Sequence, residues 1–357
     1  MTQGWRSGLE SALMRAWRGR GWVAWLLLPW SWIFATLYGL RYAGFHWGLL
    51  KTQRVNAFVI VVGNVVAGGA GKTPTVISIA KHLSTQGYRV GVISRGFGRS
   101  TDKCLAVFPN SPPHEVGDEP ALIARATQLP MFVGRNRLAA ASALMERYPQ
   151  TQIIVSDDGL QHYRLYRDLE ICVFDDRACG NGWFLPAGPL REPWPKRALW
   201  QAGQSAERLL VLHTGNKPAF AGYTAQRSLS HVGLRQDGSK LALSLLHSPG
   251  ARPLIAVAAI AQPENFFSML RALDLPLAHT LALRDHDNFE RISGDCYKGY
   301  QLVCTEKDAM KLWPKVPDAV AVPLVQTIEP NFFRQLDACI AAKLPSALSS
   351  EHGHQTT

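Results

Sequence analysis

The six cysteines of this 357-residue chain include no C-x-x-C pair and no spacing that ligates a metal. That excludes a disulfide framework and a zinc ribbon. Cys104, Cys172, Cys179, Cys296, Cys304 and Cys339 read as reduced, mostly buried thiols of a cytoplasmic protein. Charge is missing altogether between Arg20 and Arg41, an uncharged stretch of 20 residues that includes WVAWLLLPWSWIFATLYGL and is just long enough to span a bilayer. No small-residue cleavage motif follows a short apolar core there, which excludes a cleaved signal peptide. Acidic residues are outnumbered, 27 against 38 basic ones, and the net charge of +11 points to an anionic partner: nucleic acid, anionic lipid or a phosphorylated substrate.

Tryptophan decides among these. Six of the eleven (Trp5, Trp17, Trp22, Trp25, Trp30, Trp32) lie in the first 32 residues, interleaved with arginine beside an apolar run. That is a membrane-interface pattern, and grooves for single-stranded nucleic acid do not call for the apolar run. Pro29, Gly39 and the spread of tryptophans argue against a simple span. Basic residues on both flanks (Arg15, Arg18, Arg20; Arg41, Lys51, Arg54) give no orientation. The segment reads as a helix or bent helix pair lying in the cytoplasmic leaflet, with a true span or a buried core helix as alternatives.

At 47% hydrophobic, the remaining length suits two α/β lobes. Residues 58 to 77, FVIVVGNVVAGGAGKTPTVI, organise the first. Phe58 to Val62 is a β-branched run too short for a buried helix, so it predicts a central parallel strand. Gly68, Gly69 and Gly71 can bring several amide N–H groups to one point, Lys72 adds a mobile positive charge and Thr73 a hydroxyl able to ligate Mg²⁺. A helix from about Thr75 to Leu83 aims its positive end at the same place, with Pro74 in its first turn. The loop Val66-Ala67-Gly68-Gly69-Ala70-Gly71-Lys72-Thr73 departs from G-x-x-x-x-G-K-[ST] only in having Val66 at the first glycine. GGAGKT also resembles the deviant P-loop of dimerising ATPases that partition or target cargo. Their signature lysine is here Ala67, which favours an enzyme over a dimerisation switch.

Further motifs follow in order. A strand from Val90 to Ser94 leads to a glycine-rich turn carrying Arg95 and Arg99, either phosphate-holding or solvated. Asp118 and Glu119 open an apolar-spaced helix, where helix capping and catalysis are equally open readings. In QIIVSDDGLQH a strand from Ile153 to Val155 delivers Asp157 and Asp158 at its end, the arrangement of a Walker-B element that holds Mg²⁺. Leu169 to Phe174 predicts a strand, the rigid loop of LPAGPLREP carries Arg191 toward an acceptor pocket, and Arg208 to Leu212 closes the first lobe. In the second lobe Asp285, His286 and Asp287 follow a short apolar run, and Thr305 caps a helix with Asp308, leaving Glu306 and Lys307 exposed.

Taken together, GNVVAGGAGKTP, SRGFGR, VGDEP, SDDGLQH, LPAGPLREP, AIAQPENFF, RDHDNF and TEKDAMK, behind an aromatic N-terminus, resemble the tetraacyldisaccharide 4′-kinase family of lipid A biosynthesis over residues from about 20 to 340. The aberrant P-loop is part of that family pattern. The resemblance implies an α/β fold: a P-loop NTPase-like, mostly parallel sheet with helices on both faces, a smaller second α/β lobe and an N-terminal membrane-interface helix. It divides the chain into a membrane-associating segment (1–54), a P-loop kinase core (55–215), a connector (216–250), a second lobe (251–344) and a disordered tail (345–357).

The resemblance implies ATP as phosphoryl donor, and the P-loop and Walker-B patterns put Mg²⁺ on Thr73 and on Asp157, Asp158 or both. It implies a lipid A disaccharide 1-phosphate as acceptor, the cytoplasmic face of the bacterial inner membrane as location, and neither nucleic acid nor a protein partner. Asp118 falls on the family's catalytic base and His286 on its partner; the motifs themselves put Lys72 on the phosphates and make Arg95, Arg99 and Arg191 candidates for substrate binding. The alternative is a membrane-associated P-loop ATPase without a lipid acceptor.

Overall fold

The structure, a computed structural model, describes residues 13, 15–195 and 208–344. The expected tail at 345–357 lies outside the described residues, as does Trp5. Strand β1 (Phe58–Gly63) is buried along its whole length and pairs in parallel with β5 (Ile153–Asp157) and β6 (Leu169–Phe174). Apart from Ser156, Asp157 and Glu170 these runs are apolar or glycine, because helices cover both faces. Alternate residues serve opposite cores: Ile60 and Val62 pack with Ile79 and Leu83, and Val59 and Val61 with Leu144 and Ile154.

Adding β2 (Val90–Ser94), β3 (Leu105–Val107), β4 (Met131–Val133), β7 (Leu209–His213), β8 (Tyr223–Leu229) and β15 (Leu324–Ile328) gives a nine-stranded sheet in the order β15-β8-β7-β6-β1-β5-β2-β4-β3. Chain direction around β1 places its carboxyl end at the switch between two strand progressions, where ligands of open α/β sheets bind.

The second sheet has six strands in the order β10-β9-β14-β13-β11-β12, from β9 (Val232–Leu234), β10 (Lys240–Ala242), β11 (Leu254–Ala258), β12 (Leu277–Ala282), β13 (Gln301–Thr305) and β14 (Val320–Val322). Its core is separate, built on Phe266, Phe267 and Leu270 on one face and Phe289, Leu312 and Trp313 on the other.

Two expectations change. The strand at 209–213 does not close the first sheet, and much of the supposed connector is strand, because β8 continues that sheet and β9 begins the other. The chain also returns: β15 pairs antiparallel with β8, and the helix Pro330–Ala341 packs Phe332, Leu336 and Ile340 into the first core. Apolar residues at four-residue spacing need a face to cover, and the first lobe supplies it. Of the cysteines only Cys172 and Cys304 are buried, whereas Cys104 and Cys296 are exposed.

Helix α1 (Trp22–His46) is one continuous helix that includes Pro29 and runs on past Arg41. Only Ala24 and Ser31 are buried in it, so it is not a core helix, while Trp22, Trp25, Trp30, Trp32, Leu37 and Leu40 are exposed. It docks by one side. Ser31 Oγ donates to Phe184 O at 2.7 Å and accepts from Ala187 N at 2.9 Å, and Arg41 Nη2 donates to Gln161 O at 3.0 Å. The helix therefore rests on the glycine- and proline-rich loop beside the end of β5.

Candidate active site

The turn after β1 is held open from outside. Asn64 Nδ2 donates to Gly68 O (3.1 Å), Arg177 Nη2 to Gly69 O (2.7 Å) and Thr214 Oγ1 to Ala70 O (2.9 Å). In a trans peptide the N–H points opposite to the carbonyl, so these bonds leave the amides of Gly69, Ala70 and Gly71 facing away from Asn64, Arg177 and Thr214 respectively. Gly71 is left-handed (φ 80) as the cap of helix α2 (Lys72–Thr85), and a Cβ there would stand 3.1 Å from Thr214 Oγ1. The helix begins three residues earlier than predicted, placing Lys72 and Thr73 in its first turn. Ala67 is committed elsewhere, its N–H donating to Pro189 O at 2.8 Å, and Val66 is buried.

Lys72 Nζ lies 3.2 Å from Asn64 Oδ1 and 3.7 Å from Asp158 Oδ1. Arg191 Nη2 reaches the same carboxylate at 3.2 Å and also donates to Asn64 Oδ1. Burial alone pushes the Asp158 carboxyl up, but the charges of Lys72 and Arg191 outweigh it and hold it at about 2.

Asp157, the last residue of β5, behaves oppositely. Burial, reinforced by the charges of Glu119 and Asp158, raises its carboxyl to about 7 despite a 2.8 Å bond from Ser94 Oγ. Its Oδ1 is buried without a partner. A hard cation fits here, because Mg²⁺ takes oxygen ligands, needs only one or two carboxylates beside phosphate and water, and would satisfy the orphaned oxygen. Among the described residues no cluster of three His, Cys, Asp or Glu side chains could hold a metal ion.

The Asp157-Asp158 turn is strained, with Asp158 at φ 46, and a buried arginine braces it. Arg137 opens helix α5 (Arg137–Arg147). Its Nη2 donates to Asp157 O at 3.0 Å and Asp158 O at 3.4 Å, and its Nη1 to Gly134 O at 3.0 Å. Burial lowers even this guanidinium to about 10.

Asp118 is the first residue of helix α4 (Asp118–Thr127). Gly117 before it has φ 98, and a Cβ there would stand 2.9 Å from Phe97 O, so the Gly-Phe-Gly turn and this helix start press together. Across the gap between lobes, His286 Nδ1 lies 2.8 Å from Asp118 Oδ2 and Lys311 Nζ donates to the same oxygen at 2.6 Å. Burial works to raise the Asp118 carboxyl, but the bonds from His286 and Lys311 bring it below its ordinary value.

His286 holds a left-handed backbone (φ 63), and its ring packs 5.6 Å from that of Phe97. Lys307, expected to be exposed, instead bonds Asp285 Oδ1 at 3.1 Å and stands 3.5 Å from His286 Nε2. Glu306 is half-buried rather than exposed. Asp308 and Thr305 form the predicted cap, with Asp308 N donating to Thr305 Oγ1 at 3.1 Å.

Sequence and shape identify the family. A model described as tetraacyldisaccharide-1-P 4′-kinase matches residues 23–341. The chain belongs to the tetraacyldisaccharide-1-P 4′-kinase family. It is 51% identical over 354 residues to a tetraacyldisaccharide 4′-kinase of Polaromonas naphthalenivorans, covering 98% of this chain and 100% of that one. A relative of the same description in Methylibium petroleiphilum is 41% identical over 353 residues, covering 95% and 96% respectively. The solved structure of LpxK from Aquifex aeolicus in complex with ATP superposes with a TM-score of 0.75 at 24% identity, over 90% of this chain and 99% of that one. Family membership makes the chain a kinase, and the last comparison supports its fold.

Against this family background, three site features escaped the sequence reading. Asn64, Arg177 and Thr214 act through loop carbonyls, which no side-chain motif displays. Arg137 looks like an ordinary basic helix residue in GRNR. Lys311 sits one turn beyond Lys307 in TEKDAMK, and nothing local distinguishes it from an ordinary helix lysine. Of the three arginines assigned to substrate, Arg191 lies on Asp158, Arg95 is exposed, and Arg99 donates to Lys103 O at 2.6 Å.

A cavity of about 480 Å³ opens between the end of α1, the turn after β5 and the start of α5. Arg41, Arg135, Arg137, Arg164 and His162 line it beside Phe45 and Tyr163, and no acidic residue does. Burial, with the charges of Arg137 and Arg95, lowers His162 to about 3, so it stands there as a neutral imidazole.

Proposed function

We propose that this kinase moves the γ-phosphoryl group of ATP to the 4′-hydroxyl of a tetraacylated glucosamine disaccharide 1-phosphate, giving lipid IVA, at the cytoplasmic face of the inner membrane. The observation that carries the reading is the meeting of Asp118 and His286 from different lobes at 2.8 Å, with Glu119, next in the chain, close enough to Asp157 to raise its carboxyl. A proton acceptor and a phosphate cradle then face one cleft.

Phosphoryl transfer asks a protein mainly to position groups and neutralise charge. The amides of Gly69, Ala70 and Gly71, with Lys72, hold the β- and γ-phosphates. Arg191, sharing Asp158 with Lys72, adds a second cation on that side. Mg²⁺ would be held by Asp157, with Thr73 and Asp158 beside it, and supplies neutralisation of phosphate charge when bound. Asp118 accepts the hydroxyl proton late, as the new P–O bond forms, and His286 orients it. Because the pair exists only when the lobes meet, closure couples acceptor binding to assembly of the base and limits wasteful hydrolysis.

The basic cavity suits the acceptor's anionic headgroup, with Arg95 and Arg99 at its approach through their charge on Arg137. The exposed side of α1, with Trp22, Trp25 and Trp30 toward its start, suits a bilayer interface from which acyl chains never need to leave.

The test is transfer of labelled phosphate from ATP to the disaccharide 1-phosphate in detergent micelles, alongside ATP hydrolysis without acceptor. Acceptor-dependent transfer that Lys72→Ala removes supports the reading. Hydrolysis that ignores the acceptor favours the ATPase alternative, and full transfer by Lys72→Ala overturns the site.

A further inference from the structure

We propose that Lys311 is a positioning residue of the transfer reaction: its ammonium ties the Asp118 carboxylate to the turn that bears His286, fixing which carboxylate oxygen meets the acceptor hydroxyl. The inference rests on the reading of Asp118 as the proton acceptor.

The geometry is specific. Lys311 lies in the last turn of the helix Glu306–Leu312, in the second lobe, and its side chain is largely buried at 14% exposure. Its Nζ donates to Asp118 Oδ2 at 2.6 Å and stands 3.4 Å from both His286 O and Asp287 O. An ammonium has three hydrogens, and these three oxygens give each a direction. One group thus grips the base in the first lobe and two successive carbonyls in the second.

The consequence falls on Asp118. Both His286 Nδ1 and Lys311 Nζ converge on Oδ2, which fixes the carboxylate rotamer and makes Oδ1 the oxygen to accept a substrate proton. The same two donors keep the carboxyl below its ordinary value, so the base is ionised at working pH. The carbonyl contacts also hold His286 at its left-handed φ of 63, a conformation an unsupported turn would leave. Lys307 is the contrast within the same helix: it bonds Asp285 and approaches only the far nitrogen of His286.

The experiment measures transfer to the disaccharide 1-phosphate in micelles by Lys311→Met, Lys311→Arg and Lys311→Ala, each alone, and by Lys311→Met in an Asp118→Asn background. We expect Lys311→Met to lose kcat by roughly tenfold to a hundredfold, part of what a general base contributes, with the ATP KM nearly unchanged. Lys311→Arg should keep more activity than Lys311→Met. Ethylammonium should restore part of the activity of Lys311→Ala.

In the Asp118→Asn background Lys311→Met should cost nothing further, because a residue acting through Asp118 has nothing left to act on. Equal losses in both backgrounds, or no ethylammonium rescue of an Ala variant that melts like the parent, overturn the proposal. If Asp118→Asn abolishes transfer while Lys311→Met is fully active, this inference fails and the assignment of the base stands. If Asp118→Asn itself retains full transfer, the underlying reading fails first.

Discussion

The two halves of the site are built differently. The proposed phosphate cradle is local: Asn64, Asp157 and Asp158 sit at the ends of β1 and β5 and Lys72 in the first turn of α2, pinned by Arg137, Arg191 and Thr214 of the same lobe. The half proposed to accept the proton is divided, with Asp118 in one lobe and His286 and Lys311 in the other. One half is held within a single sheet and the other only by contact between lobes. If the proposed roles hold, preorganisation and gating fall to separate parts of one cleft.

The sharpest way to break this division is Asp118→Asn. Transfer should fall by about 10²- to 10⁴-fold, the range for a general base, while nucleotide binding followed by calorimetry stays at the parent value. A parallel collapse of nucleotide affinity would show that the halves are not separable. Lys72→Ala should cost about 10²- to 10³-fold in transfer, as for a transition-state donor, and should weaken nucleotide binding too.

Arg137→Met probes the cradle's rigidity. Leaving the carbonyls of Asp157 and Asp158 unbonded should lower stability by about 1–3 kcal/mol, read as a lower melting temperature even without ligands.

The smallest effect concerns pH. The Asp118 carboxyl lies lower in the folded protein than in the unfolded chain, where it titrates at about 4. Its link to the second lobe therefore adds stability above that pH and loses it as pH falls through the lower folded value. A donor–acceptor dye pair with one dye in each lobe should report constant separation from pH 8 to about 5 and opening only below about 4. Opening that begins near neutrality would assign control of closure to another group.

Much of this was legible in the sequence because local patterns fixed it. Phe58–Gly63 and Ile153–Asp157 carry β-branched runs and Leu169–Phe174 is short and largely apolar, patterns whose economical home is a sheet covered on both faces, and the turn bearing Gly71-Lys72-Thr73 follows the first. What stayed hidden depends on contacts far apart in sequence. Asp118 and Lys311 are 193 residues apart, and nothing in either segment names the other. The same holds for the return of β15 to β8, since a short strand carries no mark of the sheet it joins. Asp118 itself was ambiguous, because an acidic residue at a helix start serves as a cap in any protein.

The late return of the chain has a consequence for biosynthesis. The antiparallel pairing of Leu324–Ile328 with Tyr223–Leu229 and the burial of Phe332, Leu336 and Ile340 against the first core cannot happen until nearly all of the polypeptide has left the ribosome. Until then the nascent first lobe has a bare sheet edge and an uncovered helix face. The nucleotide-binding half, begun first, is thus completed last, and a chain that terminates early has no finished ATP-binding lobe.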